Sequence, residues 1–290
     1  TITAVNGNDI VNSDYRYYYG RFGTNAHICA NTLLSECDFL LTVGSRLYVR
    51  QTGYNFEGFA KQAFRVYVDI DGDELKKPTL FPNRAIQADA RHFLTDLLRH
   101  ELPQTNSGWL QHCDTLNETP KVLQRHRDNE RFVSHYAFVE ELSKCLPADH
   151  HVVTSDGTAN IATMQVLNLK GKQRLFTNTG CAPMGYGLPA AIGAAVHNKI
   201  VLLDGDGSLH LNIQELQTMK HYNLPIKLIL LNNDGYLSIK LTQKAFMNGR
   251  LVASEKTSGV SFPNFEKVIN AYDIPYCKIE TNKDIQPTLR

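Results

Sequence analysis

Apolar residues fall along this chain in short runs, separated by polar breaks that carry Gly, Asp or Pro. DFLLTVG over 38–44 and FRVYVDID over 64–71 are rich in Val and Leu and end in Gly or Asp, the pattern of buried strands. RAIQAD over 84–89 predicts a shorter strand. In ARHFLTDLLRHEL, 90–102, Phe93, Leu94, Leu97 and Leu98 recur at helical spacing, and Pro103 is expected to stop the helix. The polar stretch 104–130 has no sustained period and reads as a linker with some helix, which Trp109 docks onto a neighbouring surface. Beyond it, helices predicted over 135–146, 158–168, 184–197 and 212–222 alternate with strands over 151–155, 200–204 and 226–231. Residues 205–211 read as a Gly-rich loop, and Asn212 with Glu215 has the spacing of a capping box. The alternation predicts an α/β protein with parallel sheets flanked by helices, in two regions, 1–103 and 131–290.

Composition narrows the class. A length of 290 residues allows two domains, and 42% hydrophobic with 20% charged residues fits a filled core and excludes wholesale disorder. Thirty Lys and Arg against 29 Asp and Glu leave a formal charge of +1, so no global basic field for nucleic acid exists. The longest apolar runs, PAAIGAAV over 189–196 and LILL over 228–231, fall short of the ~20 residues of a spanning helix. TITAVNGNDI at the start has neither the basic nor the apolar segment of a signal peptide. Six cysteines form no CxxC pair, which argues against a zinc ribbon or a disulfide scaffold and fits a reducing compartment. The expectation is a cytoplasmic protein without nucleic-acid or membrane partners.

The chemistry is concentrated in DGDGSLHLNIQELQTMKHYNLPIKLILLNNDGY, 204–236, which reads strand, Gly-rich loop, helix, strand, Asn-rich loop. In a parallel crossover unit both strands end on one edge of the sheet, ~4.8 Å apart when they are neighbours, and that edge is where open α/β sheets place ligands. Asp206 in the first loop and Asn233 in the second, 27 residues on (233 − 206), can therefore meet. With the carbonyl of Gly235 they make an all-oxygen set suited to Mg²⁺ or Ca²⁺. One charged ligand leaves room for phosphate oxygens of a cofactor. Gly205 and Gly207 permit close approach, and N–H groups of Gly207 and Ser208 are candidate donors to it.

These residues carry a resemblance. GDGS followed by NNDGY resembles the thiamine diphosphate motif of the decarboxylase and acetolactate synthase superfamily, which implies Mg²⁺ ligands at Asp206, Asn233 and Gly235. TGCAPMGYGLPAAIGAA over 179–195 is similar to a Gly-x-Met-Gly segment of that family. The resemblance makes Met184 the wedge under the bent cofactor and the Ala182 carbonyl its aminopyrimidine acceptor. DGTAN over 156–160 resembles a loop that touches the diphosphate, here through Gly157 and Thr158. Tyr236 closes the cofactor-binding set with Gly205, Gly207 and Ser208. Residues 1–103 are similar to the second half of the family's central, Rossmann-like domain and 131–290 to its diphosphate-binding domain, cut short at the C-terminal end. In acetolactate synthases the central domain holds FAD. Tyr48 and Val49 stand here in place of an acidic pair, which argues against FAD.

The family's activating Glu comes from a pyrimidine-binding domain that nothing in 1–290 resembles, so no catalytic residue is assigned and the chain is expected to be inactive alone. The resemblance implies a 2-oxo acid substrate, carboligation or decarboxylation, and a homodimer or tetramer. Rival readings are a decarboxylase or diketone C–C hydrolase of the same family, or a non-catalytic cofactor-binding module. A nucleotide-binding oxidoreductase is disfavoured because no GxGxxG opens a strand–helix unit.

Overall fold

A computed structural model describes residues 1–289. They form two units, one of residues 1–8 and 16–121, the other of residues 9–15 and those from 122 onward; the division after Lys121 falls inside the stretch read as a linker.

In the first unit, α1 (Ile28–Glu36) precedes β1 (Phe39–Val43), β2 (Phe64–Asp69) and β3 (Arg84–Gln87), which pair in parallel in that order. Helix α2 (Ala90–Leu97) is capped by Asp89, whose carboxylate accepts from the N–H of His92. It ends earlier than expected, well before Pro103. Helix α3 (Ser107–Asn117) occupies the predicted linker. Trp109 and buried Cys113 on it join a cluster with Tyr19 and Leu33, so this segment belongs to the first unit's interior. Asp69 and Asp71 act as turn formers, as their spacing suggests. Their carboxylates accept from the N–H groups of Asp71 and Asp73.

The second unit begins with α4 (His135–Cys145) and β4 (His150–Thr154). Then follow α5 (Gly157–Val166), β5 (Leu175–Phe176), α6 (Gly187–Ala195) and β6 (Lys199–Gly205). Helices α7 (Asp206–Leu211) and α8 (Glu215–His221) lead to β7 (Ile226–Leu231) and α9 (Leu237–Phe246). All four strands are parallel, in the order β5-β4-β6-β7. Val153, Ile200 and Leu202 are fully buried against Leu188, Ala191, Leu209 and Leu216; each such large side chain contributes ~1.5–3 kcal/mol by leaving water. Continuous apolar strands are what a parallel sheet covered on both faces requires. Two details differ from expectation. Residues 206–211 are helical, and Asn212 does not cap α8. Its amide instead donates to the carbonyl of Gly185 at 2.7 Å. No helix among the described residues is long and apolar enough to cross a membrane.

The strand order matters for function. From β4 the chain moves outward to β5, and from β6 it moves the opposite way to β7. The loops after β4 and β6 thus diverge, opening a crevice at the carboxyl ends of the strands.

A pH effect arises in α4. Burial, with His126 nearby, lowers the imidazole of His135 from 6.5 to about 4. Between those values the unfolded chain binds the extra proton, so this group's contribution to stability is complete above pH 6.5 and is lost as pH falls toward 4. His135→Phe is expected to gain melting temperature relative to the unmutated chain as pH drops from 7 to 4.5. A pH-independent difference between the two melting curves would refute this.

Candidate functional site

Gly205, the last residue of β6, pairs with Leu231, the last of β7. The next residues of both strands therefore leave the sheet side by side. Asp206 opens α7 and is buried. Its Oδ1 accepts from the N–H of Gly207 at 2.8 Å. Its Oδ2 accepts from the N–H of Asn233 at 2.8 Å and of Gly235 at 3.2 Å. The two loops predicted to meet are thus joined through this carboxylate. The Gly207 N–H expected to face a ligand is instead used within this arrangement.

Burial pushes the Asp206 carboxyl up, against the N–H groups of Gly207, Gly235, Asn233 and Asp234, which pull it down. No cationic side chain is among the groups acting on it. A desolvated carboxylate gripped by amides, with no cationic side chain acting on it among the described residues, has the charge and hardness that suit a hard metal ion. Beside it, a Cβ at Gly205 would meet no atom within 4 Å, so the backbone there faces open space. A Cβ at Gly207 would lie 2.2 Å from the ring of Tyr236. That ring is held edge-on to Phe262, with centroids 5.7 Å apart.

The loop after β4 supplies the other wall. Gly157 has φ +60° and begins α5, and a Cβ on it would reach 3.5 Å from Ser238 Oγ of α9. Thr158 follows and is half-buried. Deeper in the crevice Ser155 and Asp204 are almost completely enclosed, and burial pushes the Asp204 carboxyl up to about 6. A Cβ at Gly187 would sit 2.6 Å from Asp204 Oδ2, so the start of α6 approaches as only glycine permits.

The third strip is 182–187. The Gly185 N–H donates to Ser208 Oγ at 3.0 Å, and the Gly185 carbonyl accepts from Asn212. Both backbone polar groups of Gly185 are therefore fixed to the segment that begins with Asp206. Ala182 adopts φ +48°. Met184 is 39% exposed rather than packed in the core. Cys181 is also exposed.

The carboxyl edge of this α/β sheet thus brings together the buried Asp206 carboxylate and the loops that carry Gly157, Gly185 and Gly205. The thiamine pyrophosphate enzyme central-domain model matches residues 1–97, and the thiamine pyrophosphate enzyme C-terminal TPP-binding-domain model matches residues 156–290. The chain belongs to the thiamine pyrophosphate enzyme family. Among individual proteins it is similar to the acetolactate synthase isozyme 2 large subunit of Escherichia coli strain K12. The two are 32% identical over 267 residues, covering 91% of this chain and 47% of the relative. The acetolactate synthase large subunit of Pyropia yezoensis is 30% identical over 297 residues, covering 99% of this chain and 49% of the relative. The chain spans about half the length of the curated relatives it matches.

Sequence reasoning missed the brace behind the Asn-rich loop. Gln243 of α9 is buried; its Nε2 donates to the Val252 carbonyl at 2.9 Å, and its Oε1 accepts from Val252 N and Ser254 Oγ. The Ser254 carbonyl in turn accepts from Tyr236 N at 2.9 Å, and Gly235 bridges Glu255. Only the closure of α9 onto 252–255 reveals this; a Gln on an amphipathic helix carries no such signal. Gln243→Ala leaves the Val252 amide and carbonyl short of partners, at a cost of ~1–3 kcal/mol. The expected result is a lower melting temperature with faster amide exchange across 252–258. Unchanged exchange there would dismiss the brace.

Proposed function

We propose that this chain binds thiamine diphosphate through Mg²⁺ and serves an acetolactate synthase-like carboligase or decarboxylase acting on 2-oxo acids. The observation that carries the reading is the buried Asp206 carboxylate, held by amides of a loop 27 residues away at the carboxyl edge of the sheet. Asp206, the Asn233 side chain and the Gly235 carbonyl would hold the metal. Gly157, Thr158, Gly205, Gly207 and Ser208 would surround the diphosphate, with Tyr236 packed behind Gly207. Met184 and the Ala182 carbonyl would meet the rest of the cofactor. When bound, thiamine diphosphate supplies the electron sink for carbon–carbon bond cleavage and formation.

The role of this chain's own residues is to hold and orient. Gly185, tied at both ends, sets the height of Met184 over the crevice. The N-terminus of α5, ten residues long, directs its amide dipoles toward the anion. Glu140 pairs with Arg127, and Glu141 with Lys144, so neither is offered as the activating acid. That group would come from a pyrimidine-binding domain, across an interface of a cytoplasmic homodimer or tetramer. Calorimetry with thiamine diphosphate, with and without Mg²⁺, tests the reading directly. Binding that requires Mg²⁺ is expected, and Mg²⁺-independent binding or none would defeat it.

A further inference from the structure

The carboxyl edge of the second sheet holds a second buried carboxyl group, which the reading above leaves without a role. Asp204 follows the apolar run of β6 and is completely enclosed, and Ser155 at the end of β4 is enclosed with it. Asp204 Oδ1 accepts from the Gly205 N–H at 2.9 Å. Neither Asp204 Oδ2 nor Ser155 Oγ makes a well-aligned hydrogen bond among the described residues. Burial pushes the Asp204 carboxyl up, against the Ser155 and Ser208 hydroxyls and the Gly205 N–H. A carboxyl group so short of donors weakens the core, and an apolar side chain of similar volume would fill the space at less cost.

What Asp204 does touch is the start of α6. A Cβ built on Gly187, the first residue of that helix, would sit 2.6 Å from Asp204 Oδ2, 3.0 Å from Asp204 Cγ and 3.0 Å from Ser155 Cβ. The helix therefore meets these two side chains with bare backbone. It is nine residues long, has no acidic residue in its first turn, and receives no side-chain cap from Tyr186. The Asp204 carboxyl group is thus an acceptor set against a helix end whose first amides lack intrahelical partners. Two residues earlier, Gly185 is held by Ser208 Oγ and by the Asn212 amide. The strip that carries Ala182 and Met184 is pinned twice as it reaches α6, at 185 by hydrogen bonds and at 187 by contact with Asp204.

We propose that Asp204 is a positioning residue for the cofactor crevice: by seating Gly187 it fixes how the strip joins α6, and so the place of Met184 and of the Ala182 carbonyl. The inference rests on the thiamine diphosphate reading, in which those two groups meet the cofactor. Asp204 acts through Gly187, and its role is distinct from that of Asp206, which would hold the metal. Asp204→Asn keeps the volume and one acceptor oxygen, but it can set an N–H against the amide end of α6. Gly187→Ala presses a methyl group onto Oδ2 from the other side. Asp204→Ser shortens the side chain and makes room for that methyl group.

The test combines amide exchange on the full chain without cofactor, and calorimetry with thiamine diphosphate and Mg²⁺. Asp204→Asn is expected to fold, with circular dichroism as the check, and to exchange about tenfold faster across 184–188 while 252–258 stays unchanged. Its affinity for thiamine diphosphate is expected to fall about tenfold with the Mg²⁺ requirement intact, since the seat and not the metal set is disturbed. Gly187→Ala is expected to lose as much. The double variant Asp204→Ser, Gly187→Ala is expected to regain about fivefold over Gly187→Ala alone, a coupling that two independent structural defects would not give. Unchanged exchange across 184–188 in Asp204→Asn, loss of the Mg²⁺ requirement, or a double variant no better than Gly187→Ala overturns the proposal. If the unmutated chain binds no thiamine diphosphate, the earlier reading falls, while the exchange measurement still decides whether Asp204 seats the strip.

Discussion

Asp206→Ala abolishes Mg²⁺-dependent binding of thiamine diphosphate, with affinity falling at least a hundredfold in calorimetry. The expected loss is large because the substitution removes two things at once. It deletes the only charged oxygen of the proposed metal set. It also releases the amides of Asn233 and Gly235, both of which donate to Oδ2, so the second loop loses its anchor to the first. Asp206→Asn separates these effects: it keeps one acceptor oxygen for an amide but removes the charge, and is expected to keep the fold while losing the metal. If either variant binds the cofactor as tightly as the unmutated chain, the metal assignment fails.

Gly235→Ala is expected to be nearly as damaging, for a backbone reason. Gly235 has φ +151°, and a Cβ built there would lie 2.5 Å from the Ser254 carbonyl oxygen. Backbone, unlike the end of a flexible side chain, cannot swing aside. The Asn-rich loop must then move away from 252–255, breaking its bridge to Glu255. A positive-φ strain together with a steric shift costs ~2–4 kcal/mol. The same shift displaces the Gly235 carbonyl from the proposed metal. Thermal unfolding and Mg²⁺ titration should therefore both report a loss. A variant with an unchanged melting temperature would show that the loop accommodates a side chain.

Much of this was legible in the sequence because parallel α/β units couple strand ends to loops in a fixed way. The apolar runs at 38–44 and 64–71 contain observed strands at 39–43 and 64–69, and those at 200–204 and 226–231 lie within observed strands, since short segments rich in Val, Ile and Leu suit a sheet covered on both faces. The meeting of the Asp206 and Asn233 loops follows from the same topology. What was illegible depends on contacts made after folding. Asn212 and Glu215 had the spacing of a cap, yet Asn212 lies within reach of Gly185, and a tertiary carbonyl replaced the local partner. Residues 206–211 looked like a loop because glycine weakens helix propensity, but Leu209 packs into the core and holds the turn. The link from Gln243 through Val252 and Ser254 to Tyr236 joins segments whose spacing no periodic pattern records.

The register of β6 and β7 gives the crevice a property that concerns assembly of the chain. Gly205 must face Leu231 for Asp206 to reach the amides of Asn233 and Gly235, and a slip by one residue would send each side chain to the opposite face. A chain that has collapsed with a shifted strand would then hold its secondary structure yet offer no seat for a dication. The affinity of the proposed metal for Asp206 would therefore act as a proofreading signal, rewarding only the aligned pairing and leaving near-native alternatives without that stabilisation.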